Sequence, residues 1–253
     1  MNARSGWRLA SIVVGGLFIV VWQLIVNAHI VSAVYLPGPD RTWNALVRGF
    51  SSGTLLAQLW QTVQRMLVGW LLASLVGVVL GAMIGMSRAA RTYLGPTLEF
   101  LRPLPASAVI PLGIAFFGLS DGMVLGVIAF GALWPTLLST VHGFAAVEPC
   151  LYEVSRVLGM SRLAVIWKIA LPSSLPDILG GMRLSLTVSL ILAVVGEMLA
   201  SRTGLGSGIL IAARTFHAAD LYAGVVLLGV LGYITAQGLF ALEARLLRWR
   251  AVR

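Results

Sequence analysis

The chain has 253 residues, of which 58% are hydrophobic and only 11% are charged, and its mean hydropathy is +0.94. Water-soluble domains have about 45–50% apolar and about 25% charged residues. The composition therefore excludes a soluble enzyme and a disordered chain. The single cysteine, Cys150, excludes an intrachain disulfide.

The formal charge of +9 comes from cations that lie between apolar runs, and seventeen of the eighteen cations are arginine. This arrangement is typical of the loops that flank membrane spans. The basic charge therefore indicates a membrane topology, and we do not expect a nucleic-acid partner.

Six stretches without Asp, Glu, Lys or Arg follow one another along the chain. They cover residues 9–39, 66–87, 103–120, 122–147, 184–196 and 221–242. About 20 apolar residues cross a bilayer as a helix, and four stretches meet that length. The third gains a turn from Leu98 to Arg102, and the fifth extends through Glu197 to about Ser201. We predict an all-α polytopic membrane protein with six transmembrane helices, surrounded by lipid.

The orientation follows from the distribution of the cations. With the amino terminus inside, the inner segments hold thirteen Lys and Arg residues and the outer segments hold five. Because cytoplasmic loops carry the excess of such residues, both termini are predicted to be cytoplasmic.

Three local patterns qualify the spans. A short interfacial helix is expected in the outer segment 41–64, where apolar residues recur at helical spacing. Small residues spaced by four in the second span (Gly69, Ala73, Gly77, Gly81 and Gly85) indicate tight helix packing or a gating surface. The third span opens with the RPLP segment 102–105 and carries Pro111. Its backbone must lose hydrogen bonds there, so we expect a kinked helix inside the bundle, either structural or lining the substrate path.

The only long inner loop runs from Glu148 to Asp177 and has the pattern of two short amphipathic helices. Pro149 can begin the first helix, Gly159 is placed to end it, Ser161 can cap the second, and Pro172 is expected to stop it. Their apolar faces hold Leu151, Val154, Val157 and Leu158, and then Leu163, Ile166, Trp167 and Ala170. From periodicity alone the pair either fills a groove on a partner or lies flat on the lipid.

The loop resembles the EAA loop of permease subunits of binding-protein-dependent ABC importers. That pattern is E-A-A, three residues, G, nine residues, I, one residue, L-P. The corresponding residues here are Glu153, Val154, Ser155, Gly159, Ile169, Leu171 and Pro172, and five of the seven agree. The two alanines of the pattern are replaced by Val154 and Ser155. The loop lies between the fourth and fifth spans, where that family has it.

Further fragments resemble the nitrate, sulfonate, taurine and bicarbonate branch of these permeases. They are LPGP at 36–39, RPLP at 102–105 with Pro111, Phe117-Gly118, and Glu197 followed by Gly204-Leu205-Gly206. Their order and spacing extend the likeness from about Leu36 to Arg248.

The resemblance implies a type I ABC importer permease fold, with residues 1–253 as one transmembrane domain in a bacterial inner membrane and 148–177 as its coupling loop. The loop would insert into a separate ATPase subunit. Gly159 would make the turn, Glu153 a charged contact or cap, and Leu171-Pro172 the angle into the fifth span. Two ATPase subunits, a second permease copy or paralogue and an extracytoplasmic binding protein are the implied partners. A small oxyanion such as a sulfonate, taurine or nitrate is the implied solute.

The sequence has no motif for nucleotide binding or metal catalysis. The only lysine, Lys168, is not part of G-x-x-x-x-G-K-[ST], so ATP and Mg²⁺ are expected in the partner subunit. We expect no cofactor, no metal and no catalytic residue in this chain. A secondary transporter or channel is the alternative, although the chain lacks the inverted repeat or buried acids expected of an ion-driven transporter.

One segment, Gly118 to Gly122, fits the G-x-S-x-G pattern of serine hydrolases. It lacks the preceding strand, and His142 would lie roughly 33 Å from Ser120 along a helix. Ser120 is therefore predicted to cap the fourth span, with Asp121 complementing the helix end. An intramembrane serine hydrolase is the third and least favoured class.

The candidate pathway residues are hydroxyl-bearing side chains of the fourth and fifth spans and one acid: Thr136, Ser139, Thr140, Ser185, Thr187, Ser189 and Glu197. The hydroxyls could instead bond back to their own helices. Glu197 is either a gate residue or a structural carboxylate that pairs with an arginine or caps a neighbouring helix. The sequence places no arginine clearly in mid-membrane, so an anion would depend on neutral donors.

Overall fold

The computed structural model describes residues 3–28, 32 and 34–248. Over these residues the chain is helical and forms no strand. The helices are α1 (Ala3–Asn27), α2 (Pro39–Ser51), α3 (Thr54–Met86), α4 (Arg88–Leu101), α5 (Ile110–Phe117), α6 (Asp121–Ala145), α7 (Pro149–Val157), α8 (Arg162–Val165), α9 (Leu171–Ala200), α10 (Leu205–Arg214) and α11 (Ala218–Leu246). A 3₁₀ turn, Ala106–Val109, precedes α5, and a π-helical turn, Ile166–Ala170, joins α8 to α9.

Four helices among these residues are long and apolar enough to cross a membrane: α3, α6, the continuous helix Arg162–Ala200, and α11. The bent pair Arg88–Leu101 and Ala106–Phe117 counts as a fifth span if it is taken as one unit. The apolar stretch Val13–Asn27 of α1 is shorter than these spans. The all-α membrane architecture is confirmed, whereas the count of six spans is met only if the bent pair and α1 each count as one.

The centre of the bundle is formed by α3, α6 and α9, which pack side by side. The small residues of α3 all face this centre and are buried. A Cβ atom added at Gly81 would lie 2.6 Å from the Cβ of Thr140 and 2.8 Å from the carbonyl oxygen of Leu137, both on α6. The tight-packing interpretation of the stripe is therefore confirmed, because no larger side chain fits between these helices.

The helix of the second span is longer than its charge-free stretch. The predicted short outer helix is present as α2, but α3 begins at Thr54 and not near Met66. Gly53, with φ +77°, makes the turn between the two helices. The charged Arg65 lies inside α3 and forms ion pairs with Asp121 and Glu197, both at 3.0 Å. Charge therefore does not end this helix.

The prediction of one kinked third span is wrong in its geometry. The chain bends by 82° between α4 and the segment that contains α5. Pro103 and Pro105 together remove two backbone donors within three residues, and α4 ends just before them. Pro111 lies at the start of α5, where a missing N–H costs nothing.

The expected burial of this segment inside the bundle is met only in part. Ile110 is buried against α6, whereas Leu112, Phe116 and Phe117 on the same short helix are exposed on the single chain. The segment therefore lies on the flank of the central three helices.

Candidate functional site

The first candidate site is the elbow, which we define as residues 148–170. Its helix α7 has Pro149 in the first turn, and Gly159 adopts a left-handed φ of +63° directly after the helix end. The N–H of Met160 donates to the carbonyl of Ser155 at 3.0 Å, which closes the turn. The hydroxyl of Ser161 accepts from the N–H of Ala164 at 3.2 Å. The predicted turn and cap are confirmed.

The prediction that Pro172 stops the second helix of the elbow is wrong. One helix runs from Arg162 through the π-helical turn and Pro172 to Ala200. In the π turn the N–H of Leu171 donates to the carbonyl of Ile166, five residues back. This wider ring makes room ahead of the proline, so the helix continues through it. The second half of the elbow and the fifth span are therefore one continuous rod.

The residues that match the EAA pattern divide between two environments. Ser155 is buried and donates its hydroxyl to the carbonyl of Tyr152 at 2.7 Å. Ile169 and Leu171 pack against the buried cluster around Phe144. Glu153 and Val154 are exposed. The buried members hold the elbow against the bundle, and the exposed members face away from it.

Apolar side chains make up the outward surface of the elbow, which we call the elbow face. It consists of Val154, Val157, Leu158, Leu163 and Trp167, whose exposed fractions lie between 48% and 88%. The cations Arg156, Arg162 and Lys168 are also exposed there. An apolar patch rimmed by charge marks an interaction surface, but exposure alone does not distinguish a protein groove from a lipid surface.

The second candidate site is the predicted pathway, and most of its hydroxyls lie between helices. Thr136, Thr140, Ser185 and Ser189 are fully buried. Three of them donate to backbone carbonyls: Thr140 to Thr136 at 2.7 Å, Ser185 to Ala132 at 2.5 Å and Ser189 to Leu186 at 2.7 Å. The exposed Thr187 donates to Arg183 at 3.4 Å. Of the six hydroxyls, that of Ser139 lines an open cavity.

That cavity, which we call the α6–α9 cleft, has a volume of about 490 Å³. It lies between α6, α9 and the bend after α4. Its polar lining consists of Arg102, Trp134, Ser139, His142 and Asp177. Sequence reasoning missed four of these five residues. Two signals were available: the proline-broken backbone at Arg102, and the i, i+4, i+7 spacing of Pro135, Ser139 and His142 on one face of α6. The cleft lining thus includes an arginine, Arg102, although the sequence placed no arginine clearly in mid-membrane.

Glu197 lies at the end of the bundle opposite the elbow and is completely buried. Its Oε1 accepts from Nη1 of Arg65 at 3.0 Å. Its Oε2 accepts from the hydroxyl of Thr62 and from the N–H of Gly206, each at 3.0 Å. Gly206 is in the first turn of α10, so the carboxylate both pairs with an arginine and caps a neighbouring helix. This geometry matches the structural interpretation, and a gate role stays a prediction.

Arg65 extends this ion cluster to two further elements. Its Nη1 donates to the carbonyl of Thr203 at 2.6 Å, and its Nε donates to Oδ1 of Asp121 at 3.1 Å. Arg202 donates to the carbonyl of Leu119 at 3.0 Å beside the same aspartate. The cluster joins the inner part of α3 to the start of α6, the end of α9 and the start of α10.

Comparison with known proteins decides the family. Residues 73–248 match the family model described as binding-protein-dependent transport system inner membrane component. The chain belongs to this family. It is 34% identical to the putative aliphatic sulfonates transport permease protein of Bacillus subtilis, over 98% of this chain and 89% of the relative. The taurine transport system permease protein of Escherichia coli is 29% identical, over 90% and 85% of the two chains.

Solved structures of transporters share the fold of this permease. A chain of the MetNI methionine ABC transporter, in an inward-facing conformation, superposes with a TM-score of 0.67 at 18% identity. The match covers 76% of this chain and 96% of that one. The predicted type I importer permease fold, and the branch assigned from the short motifs, are confirmed.

Membership in a family of transport permeases also argues against the serine hydrolase alternative. The hydroxyl of Ser120 accepts from the N–H of Met123 at 3.1 Å as the cap of α6, which confirms its predicted structural role. Asp121 follows it in the first turn. Ser120 is therefore a capping residue of this permease.

Proposed function

We propose that this permease forms the path of a small organic or inorganic oxyanion through an ATP-driven importer and is moved by ATPase subunits bound to its elbow face. The observation that carries the proposal is the continuity of the elbow with α9. A force on Trp167 or Leu163 acts on the same helix that lines the α6–α9 cleft.

Two ATPase subunits, each binding the elbow of one permease copy or paralogue, are the proposed motor. ATP and Mg²⁺ would be held there, and an extracytoplasmic binding protein would deliver the solute at the end of the bundle opposite the elbow. This assembly requires the elbow to lie on the cytoplasmic side of the membrane, and both termini would then be cytoplasmic as well. The terminal residues lie outside the described part of the chain. Residues 1–253 would then act as one transmembrane domain with 148–177 as the coupling loop.

The proposed cycle follows from differential affinity. ATP binding would close the ATPase pair and draw the two elbows together, which tilts each α9 and opens the path to the loaded binding protein. Hydrolysis would return the elbows to their separated position. A ligand shifts such an equilibrium only by binding one state more tightly than the other, so the elbow must transmit its position to α9 without bending.

The solute class rests on the relatives and on the cleft. Two relatives are named for aliphatic sulfonates and taurine, and a further relative from Leptolyngbya laminosa, 29% identical over 85% of this chain, is named for nitrate import. All these solutes carry an oxyanion. Arg102 supplies a guanidinium in the cleft that pairs well with such a group.

The experiment that tests this function replaces Gly159 by valine. At φ +63° a β-branched side chain is strained, although no atom lies within 4 Å of the added Cβ. We expect Gly159→Val to assemble in the membrane but to lose ATP-dependent uptake by tenfold or more. Gly95→Val is the matched control, because Gly95 lies in α4 with nothing within 4 Å of its Cβ and with an ordinary φ. Full uptake by Gly159→Val would refute the coupling role.

A further inference from the structure

The α6–α9 cleft holds ionisable side chains of both signs. Arg102 enters from the bend after α4, Asp177 from α9, and His142 from α6. All three are exposed on the single chain. Neither Arg102 nor Asp177 takes part in any of the ion pairs found among the described residues. The two charges are therefore available to a bound molecule.

The unpaired charges of the cleft differ from other charged groups on the central helices, which form ion pairs. At the opposite end of the bundle, Glu197 and Asp121 are satisfied by Arg65, with nitrogen to oxygen distances of 3.0 Å. In the middle part of α9, Arg183 pairs with Glu243 of α11. The cleft thus brings an unpaired cation, Arg102, and an unpaired anion, Asp177, to the wall of one cavity.

Neutral groups complete the lining. The ring of Trp134 lies in the cleft wall, and its indole N–H has no acceptor among the residues that the structure describes. Ser139, one turn further along the same helix, contributes a hydroxyl. Gly131 and His142 mark the ends of the lining on α6, about 16 Å apart at 1.5 Å per residue. The cleft is therefore long enough to hold a small organic solute.

We propose that the cleft selects a zwitterion, a solute that carries an oxyanion group for Arg102 and a protonated amine for Asp177. The proposal rests on the importer function above and specifies its solute class. A simple anion would gain the contact with Arg102 but would be repelled by the carboxylate of Asp177. A site discriminates by such unfavourable contacts as well as by favourable ones. The cleft therefore favours an aminosulfonate or amino acid over nitrate or an unsubstituted sulfonate.

The test uses two pairs of probes that differ only in the amine. Taurine is compared with isethionate, and β-alanine with 3-hydroxypropionate, by equilibrium dialysis against the permease–ATPase complex in nanodiscs. Without the binding protein, any selectivity must come from the complex itself. In at least one pair we expect the affinity for the amine to be at least tenfold higher than the affinity for the alcohol.

Variants assign that selectivity to the cleft. Asp177→Asn is close in shape and should bring the ratio of the two affinities to about one. Arg102→Gln should weaken both members of the pair by tenfold or more. Glu148→Gln, an acid at the start of the elbow that does not line the cleft, is the control and should keep the wild-type ratio.

Three results would overturn the proposal: equal affinities within both pairs for the wild type, no binding of either amine at millimolar concentration, or an unchanged ratio in Asp177→Asn. ATP-dependent uptake with the binding protein is measured in parallel. Absence of that uptake in the wild type would contradict the proposed function. Normal uptake, together with a ratio of affinities that is unchanged in Asp177→Asn, would contradict only the zwitterion site.

Discussion

The ion cluster around Glu197 makes a quantitative prediction about stability. Glu197→Gln keeps the shape of the side chain but removes its charge and turns one acceptor into a donor. The amide oxygen can still accept from both Thr62 and Gly206, but the NH₂ group then faces a second donor, the guanidinium of Arg65. Breaking a buried ion pair costs about 3–5 kcal/mol.

The lower end of that range applies here. Arg65 keeps its ion pair with Asp121 at 3.0 Å and its hydrogen bond to the carbonyl of Thr203 at 2.6 Å. Its side chain is also 12% exposed. We therefore expect a loss of about 3 kcal/mol in the free energy of unfolding, which corresponds to a decrease in Tm of about 6–12 °C for a chain of this size.

Thermal unfolding of the purified complex in detergent measures this loss, and hydrogen exchange locates it. Backbone amides of α10 should exchange faster in Glu197→Gln, because the carboxylate caps the first turn of that helix. Glu99→Gln, on the exposed surface of α4, is the control and should match the wild type. A Tm within 2 °C of the wild type, with unchanged exchange in α10, would refute the stabilising role of the cluster.

Three further substitutions test other parts of the fold. Gly204→Ala should reduce stability about as much as Glu197→Gln, because the added Cβ overlaps the carboxyl of Glu197; a Tm unchanged in the same melts would contradict this. Gly81→Val should cost about 1–3 kcal/mol by overpacking α3 against α6, and a yield and Tm equal to those of Gly126→Val, which meets nothing within 4 Å, would refute it. Ser120→Ala should cost about 0.5–2 kcal/mol through the lost cap of α6 and leave the uptake rate of the surviving protein unchanged, whereas abolished uptake with normal stability would revive a chemical role for this serine.

The sequence predicts those features that depend on neighbouring residues. Gly159, Ser161 and Ser120 occupy the turn and cap positions that their types favour, and the small residues of α3 lie on one face at a spacing of four. Such features require only local backbone preferences and helical periodicity.

Features that depend on distant contacts or on competing backbone effects are not predicted. Pro172 indicates a helix end, yet the π-helical turn before it lets the helix continue. The 82° bend at residues 102–105 depends on how the two pieces pack. The partners of Glu197 lie as many as 135 positions away along the chain. Asp177 and Arg102 likewise line one cleft only because α9 and the bend flank the same face of α6.

We propose that an ATPase subunit bound to the elbow face moves α9. A photo-crosslinking amino acid at Val157, whose side chain is 88% exposed on the elbow face, tests it most directly. The same group at Trp43, on α2 at the opposite end of the bundle, is the control. We predict that the Val157 position captures the ATPase subunit, with a yield that changes when ATP binds, and that the Trp43 position does not. Capture of lipid alone at Val157, with or without nucleotide, would show that the elbow face lies on the membrane and does not bind the ATPase subunit.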